Sequence, residues 1–573
     1  MHIFKIITLC ILFLDILDET PKDKTIFISP VKIPLALSAN FGELRPDHFH
    51  SGLDIKTQGV TGKEIVAAAS GYVYRISVSP GGFGKALYIR HPSGYSTVYG
   101  HLDRFAPEIE EYVITRQYEE KSFLISLFTP KDKFHFHQGD VIAYSGNTGS
   151  SSGPHLHYEI RRTDGEIPVN PLLFDFGIGD DLEPVIEKLA IYPVGQKTLI
   201  NNQNKPFKIN VAGGHGNYYI PSHTEIRISG SAGFGIKAYD LLNNSYNKCA
   251  VYSISLSIDS IPVYKYIMDA FSFNETKYIN SHIDYESFIR EKIYFQRAYM
   301  LPNDKLSVYK DVINNGVFNF VENKKHHIEI VVTDINNNKS VLSFNVRSLP
   351  PKSSGDHPKS ENYFVIMPYG RNNRFVSKNL SVNIPSGSLY DTLFFEYKRT
   401  PGNNGMYSDI HHVHNRFTPV HKPYTLSIRP GKIPAGKESK MLIVQMAEDM
   451  KRNPLSSRWE DGYLVTNAVS FGSFYIGIDT VPPVITPNGL FPGADLTGRN
   501  ELRIRITDNF SGIKSYEPLI DGKWALFEYD QKNSLLVYRF DSKRIQKGSK
   551  HTFSLRVTDN RDNQSVYTCE FTW

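Results

Sequence analysis

Twenty histidines are spread unevenly over this 573-residue sequence, and eight of them fall between His48 and His157. Within that stretch, His50-Ser51-Gly52-Leu53-Asp54 sets an imidazole and a carboxylate four residues apart, and glycines at 52, 59 and 62 argue against a helix. The chain must bend to bring both groups to one point. Farther on, Pro154-His155-Leu156-His157-Tyr158-Glu159-Ile160 alternates like a strand, and the period of two sends His155 and His157 out of one face. Two imidazoles and one carboxylate suit Zn²⁺, and three protein ligands leave a fourth tetrahedral position to water, as a catalytic site requires.

Other histidine groups read differently. Phe134-His135-Phe136-His137 lacks a companion carboxylate motif and is expected to be a structural strand with one aromatic face. His411-His412-Val413-His414, near Asp409, is expected to be a polar loop rather than a metal site. His48 is placed beside the groove, with solvent exposure as its alternative. The loop Gly146 to Gly153 lacks the lysine of a phosphate-binding loop and is read as a flexible turn delivering the His155 strand.

Phe41-Gly42, His50 to Asp54, Tyr99-Gly100-His101-Leu102, Gly139-Asp140-Val141-Ile142-Ala143 and Gly146 to His157 occur in an order that resembles the lysostaphin-type (LytM-like) zinc metallopeptidases, which are peptidoglycan endopeptidases. The resemblance covers roughly residues 38 to 175. It implies one zinc ion held by His50, Asp54 and His157, with His155 assisting the attacking water and His101 helping to polarise that water or steady the transition state. All five positions are kept, whereas inactive members of the family lose ligands. The sequence departs from the pattern in a longer stretch between Leu102 and Gly139, which bears on substrate preference.

The elements that must position these residues read as strands. Aromatics reach 13%, with 34 Tyr and 35 Phe against 3 Trp and 8 Met, a bias toward β structure. Alternating runs recur at Lys85 to Arg90, Ile226 to Gly230, Val251 to Ile258, His327 to Val332, Glu501 to Ile506 and Thr552 to Val557. An internal repeat supports two related modules: Val332-Thr333-Asp334 with Asn338, Ser340 and Val341 recurs at identical spacing as Val557-Thr558-Asp559 with Asn563, Ser565 and Val566. Asp240 and Asp508 add an upstream match, with a longer insert around residues 265 to 305 in the first copy.

The fold class is therefore mostly β: a lysostaphin-type antiparallel peptidase domain over 28–178, then β-sandwich (Ig-like) modules over 182–350, 358–478 and 480–573. Charged residues at 21% are too few for a disordered polyelectrolyte, and a net charge of +5 spread over this length offers no concentrated field for nucleic acid. Lys5 followed by the apolar run Ile6 to Leu14 suits a signal peptide over 1–20, so the chain is expected to be exported to a periplasm or cell envelope with no membrane span in its mature form. Cys10 would leave with the signal, and Cys249 and Cys569 are expected as buried thiols rather than a bridge.

The leading expectation is an exported zinc-dependent endopeptidase that hydrolyses peptide cross-links of peptidoglycan, with the C-terminal modules free to bind the wall or an envelope protein partner. The competing expectation is a non-hydrolytic peptidoglycan-binding or amidase-activating envelope protein. A third is a multi-sandwich adhesin with a vestigial front domain.

Overall fold

The computed structural model describes residues 24–243, 245–351, 364–447 and 451–573. The expected signal segment and Cys10 lie outside the described residues. All six alternating runs form strands, and only three α-helices occur among the described residues.

The front domain is built on an antiparallel sheet. Its strands lie in the order Leu37–Ala39, Leu53–Lys56, His155–Arg162, Tyr95–Phe105, Lys85–Arg90, Gly71–Val78 and Ile125–Phe128. Leu156, Tyr158 and Ile160 enter the apolar core, so alternation turns His155, His157, Glu159 and Arg161 to the opposite face. The long stretch after Leu102 contains the helix Pro107–Glu120, whose Ile109 and Val113 are buried against this core.

Three further cores follow in sequence. The second module is a 13-stranded sheet in which the entering strand Val185–Ile200 pairs with Arg227–Leu241. Its residues between Ile267 and Lys325 include the short helices Ile279–His282 and Tyr285–Glu291. The third and fourth modules each bury an apolar core between two sheets, centred on residues such as Leu426 and Ile476 in one, and Leu536 and Phe553 in the other. Cys249 and Cys569 are free and buried.

The front domain is held on two sides. Phe41 and Phe49 leave it to join the core of the second module, where both rings meet Phe271. Asn40 donates to the Ala250 carbonyl and accepts from its amide, at 2.9 and 2.7 Å. On the other side the fourth module reaches back: Tyr118 packs edge-on against Trp524, and Lys85, buried, pairs with Glu528 at 3.0 Å.

Candidate metal centre

Register decides the site. In the antiparallel sheet His157 lies directly opposite Asp54 on one neighbouring strand and opposite Gly100 on the other, so their side chains share a face. Gly52 makes the approach feasible: a Cβ there would stand 2.3 Å from the Tyr158 carbonyl oxygen. His50 precedes this strand, and its neighbour Phe49 is fastened to the second module, with the Phe49 amide donating to Thr276 Oγ1 at 2.9 Å.

Three ligand-type atoms converge. His50 Nε2 is 3.0 Å from Asp54 Oδ1 and 3.1 Å from His157 Nδ1, and His157 Nδ1 is 3.0 Å from Asp54 Oδ1. A tetrahedral zinc with bonds of about 2.0–2.1 Å spaces its ligands roughly 3.3 Å apart, so this triangle accepts one such ion with little movement. The chemistry also fits, because both rings are aimed from behind. His50 Nδ1 faces the Asn40 carbonyl at 2.7 Å and must donate to it, which leaves Nε2 a lone pair toward the triangle. His157 Nε2 faces Glu159 Oε1 at 2.9 Å, which likewise turns the lone pair of the neutral ring onto Nδ1.

Glu159 was not singled out from the sequence as a site residue, yet it is fully buried and central here. It accepts from Ser51 Oγ at 2.5 Å and from Arg161 Nε at 2.6 Å, and burial notwithstanding, Arg161 and His157 hold its carboxyl down at about 2. The signal was present: 155, 157, 159 and 161 are one face of one strand. Without a metal, desolvation of His157 is outweighed by Asp54 and Glu159, which raise it to about 9, so metal binding there displaces a proton. Asp54 is held far below the usual carboxylate range, since the surrounding imidazoles outweigh its burial. Arg45 stands at the outer oxygen of Asp54, 3.5 Å away.

Two more imidazoles rim the triangle. His155 Nε2 is 3.4 Å from Asp54 Oδ1, and its Nδ1 faces the Gly153 carbonyl at 2.8 Å. His101 packs on His155 with ring centroids 4.8 Å apart, and its Nδ1 faces the Thr148 carbonyl at 2.9 Å. In each ring the carbonyl fixes the proton on Nδ1, leaving Nε2 as an acceptor. Burial, reinforced by His157 and His155, lowers His101 to about 3, so it is neutral at ordinary pH. His101 also holds φ at +59°, a left-handed value uncommon for a side chain of this size. Phe83 stacks on His157 at 4.7 Å and covers it from solvent.

The loop before His155 is fixed at both ends of its span. Gly84 and Gly149, both at positive φ, touch backbone to backbone, where a Cβ on Gly149 would lie 2.3 Å from the Gly84 amide nitrogen. Lys532 of the fourth module donates to the Asn147 carbonyl, to Asn147 Oδ1 at 3.1 Å and to the Ser151 carbonyl at 2.7 Å. The loop read as a flexible turn is therefore clamped.

The remaining histidines separate from this centre. His135 and His137 are exposed while Phe134 and Phe136 are buried, as a strand with one aromatic face requires. His48 is exposed beside Asp47. His411 and His412 lie within the strand Ile410–Val413, paired on both sides, which corrects the expected polar loop. The apolar Ile410 and Val413 are drawn into the module's interior, and the backbone follows them into the sheet.

Comparison with known proteins agrees with the geometry. Residues 48–118 and 126–171 match the model of peptidase family M23, and residues 365–479 match a Zu5-like domain. An uncharacterized metalloprotease of Haemophilus influenzae is 36% identical over 131 residues, 23% of this chain and 21% of that protein. The DD-carboxypeptidase/endopeptidase Mpg of Neisseria meningitidis is 33% identical over 123 residues, 22% of each chain. The match thus spans about a fifth of the length of these relatives. A solved zinc-containing peptidase from Vibrio cholerae is 25% identical, covering 26% of this chain and 40% of that one, with a TM-score of 0.20. The front domain is a peptidase family M23 domain, followed by a long β-rich region.

Proposed function

We propose that this chain, through its M23 domain, is an exported zinc-dependent endopeptidase that hydrolyses peptide cross-links of peptidoglycan. The observation that carries the proposal is the triangle of His50 Nε2, Asp54 Oδ1 and His157 Nδ1, with no edge longer than 3.1 Å. His50, Asp54 and His157 would hold the ion. When bound, zinc supplies a Lewis acid that acidifies a water to a pKa of about 7 and draws electron density from a peptide carbonyl.

The protein's own groups do the rest. His155, its Nδ1 proton committed to the Gly153 carbonyl, presents Nε2 as the base that takes the proton of the attacking water and returns it to the leaving amine. His101, neutral and braced on Thr148, offers Nε2 beside it to orient that water. Glu159 and Arg161 hold the His157 ring from behind, and Phe83 keeps bulk water from its face. Arg45 beside Asp54 supplies a fixed positive charge at the rim for an anionic stem-peptide group.

The names of the relatives, a metalloprotease and a DD-carboxypeptidase/endopeptidase, support a peptidase acting on peptidoglycan. An envelope location follows from that substrate and from the apolar N-terminal run. Purified peptidoglycan incubated with the zinc-loaded chain is expected to release muropeptides cut within the peptide, and a chelator is expected to stop it. Mass spectrometry identifies the bond. Intact muropeptides from a fully zinc-loaded protein would instead favour the non-hydrolytic binding role.

A further inference from the structure

The second module buries a trio of carboxylates, and the fourth holds a second trio in which Asp479 and Asp559 are buried and Asp508 is half-buried; neither the peptidase site nor the apolar cores explain them. One carboxylate oxygen from each of Asp180, Asp240 and Asp334 lies within 4.8 Å of the other two, and the same holds for Asp479, Asp508 and Asp559. Asp180, Asp240 and Asp334 are only 7%, 3% and 2% exposed. Yet Asp180 Oδ2 and Asp240 Oδ1 are buried with no hydrogen-bond partner, and Asp508 Oδ1 repeats this in the second trio. Burying an unpaired carboxylate oxygen costs several kcal/mol, and burying three like charges together costs more.

The two trios are built from the same parts, which also explains the sequence repeat. Asn338 donates its side-chain amide to the Asp180 carbonyl and to Asp334 Oδ2, and Asn563 does the same to the Asp479 carbonyl and Asp559 Oδ2. Ser340 Oγ donates to the Pro184 carbonyl, and Ser565 Oγ to the Pro483 carbonyl at 2.5 Å. These contacts fasten the entering linker to the closing hairpin. They engage Oδ2 of Asp334 and of Asp559 by one hydrogen bond each, and leave the unpartnered oxygens of Asp180, Asp240 and Asp508 unexplained. Folding has twice brought three carboxylates together at the junction where one module meets the next.

From this we infer that each trio is a calcium site, with Ca²⁺ held by Asp180, Asp240 and Asp334 at the first junction and by Asp479, Asp508 and Asp559 at the second. Ca²⁺ takes six to eight oxygen ligands in flexible geometry, which irregular carboxylate trios at chain junctions provide and the strict octahedron of Mg²⁺ does not. Bound there, the ion replaces mutual repulsion by attraction and stiffens the linker. The first site is the stronger, because the second has the guanidinium of Arg561 as a charge neighbour. The second anchors the module that carries Lys532.

The test uses the full chain, stripped with chelator and reloaded with one equivalent of zinc. Titration with Ca²⁺ alone is expected to show two sites and to raise the thermal midpoint, with Mg²⁺ much weaker. Asp240→Asn and Asp508→Asn are each expected to leave one site, and the double variant none, with zinc content unchanged by elemental analysis. Absence of calcium binding to the unsubstituted chain overturns the proposal, whatever the variants do. So does two-site binding that survives the double substitution, and equal binding of Mg²⁺ overturns the choice of calcium. A change in zinc content alone would implicate the peptidase centre instead, and would also overturn it.

Discussion

The front domain gathers His50, His101, His155 and His157 around Asp54, whereas the third module places His411, His412 and His414 almost as densely and brings none of them to a shared point. In the third module each ring finds a neutral partner of its own: Tyr397 for His411, Thr400 and Ser473 for His412, Thr418 for His414. Burial, complete for His411 and partial for His412 and His414, lowers all three, His411 and His414 to about 4, so they are neutral polar residues. In the front domain the partly buried carboxylate of Asp54 stands at the centre and, with Glu159, raises His157 instead. Density of histidine therefore says little. What separates a candidate metal centre from a polar core is an anionic group in register with the rings, together with acceptors behind them that turn their lone pairs inward.

Removing that anion should break the contrast most completely. Asp54→Ala and His157→Ala are each expected to lose zinc and all measurable hydrolysis, whereas His411→Ala is expected to leave both intact; metal analysis beside a peptidoglycan assay decides. Normal zinc in both ligand variants would dissolve the distinction. His155→Ala is expected to keep its zinc while turnover falls about 10²–10⁴-fold, the range for a lost general base.

Smaller effects sharpen the comparison. Glu159→Gln keeps an acceptor behind His157 but removes its charge, and is expected to weaken zinc affinity about 10- to 100-fold by chelator competition. On the other side, His411 and His414 ionise near 4 in the folded module against an ordinary value of 6.5, so the folded state takes up fewer protons. Their contribution to stability is complete above pH 6.5 and is lost as pH falls from 6.5 through 4. For His411, fully buried with Asp409, Arg399 and His412 around it, the loss is on the order of 2 kcal/mol. Thermal unfolding between pH 7 and 4 is expected to show this loss in the chain, and His411→Gln to reduce it. Lys532→Ala, which frees the loop before His155, is expected to lower turnover several-fold with zinc retained.

Much of the fold class was legible. The alternating runs from Lys85, Glu501 and Thr552 all became strands because a half-buried strand must alternate. Local pattern paired His50 with Asp54 and His155 with His157, since the glycines bend the chain and period two places both rings on one face, while the choice of His50, Asp54 and His157 as one set came from the family resemblance. Glu159 could have been read from the same alternation. The strand at His411 was misread as a loop because its apolar residues, Ile410 and Val413, are too few to signal a strand until both neighbours pair with it.

By itself the sequence determined which residue types could meet and on which face of a strand they would point, because these depend on chemistry and on the two-residue period of extended chain. Only the tertiary structure decided that His157 stands opposite Asp54 rather than one residue away, since register depends on pairing between strands a hundred residues apart. It likewise decided that the second module anchors the His50 segment through Phe49 and that the fourth clamps the His155 loop through Lys532. Such contacts leave no periodic trace, because each partner lies in a segment whose own pattern is satisfied without the other.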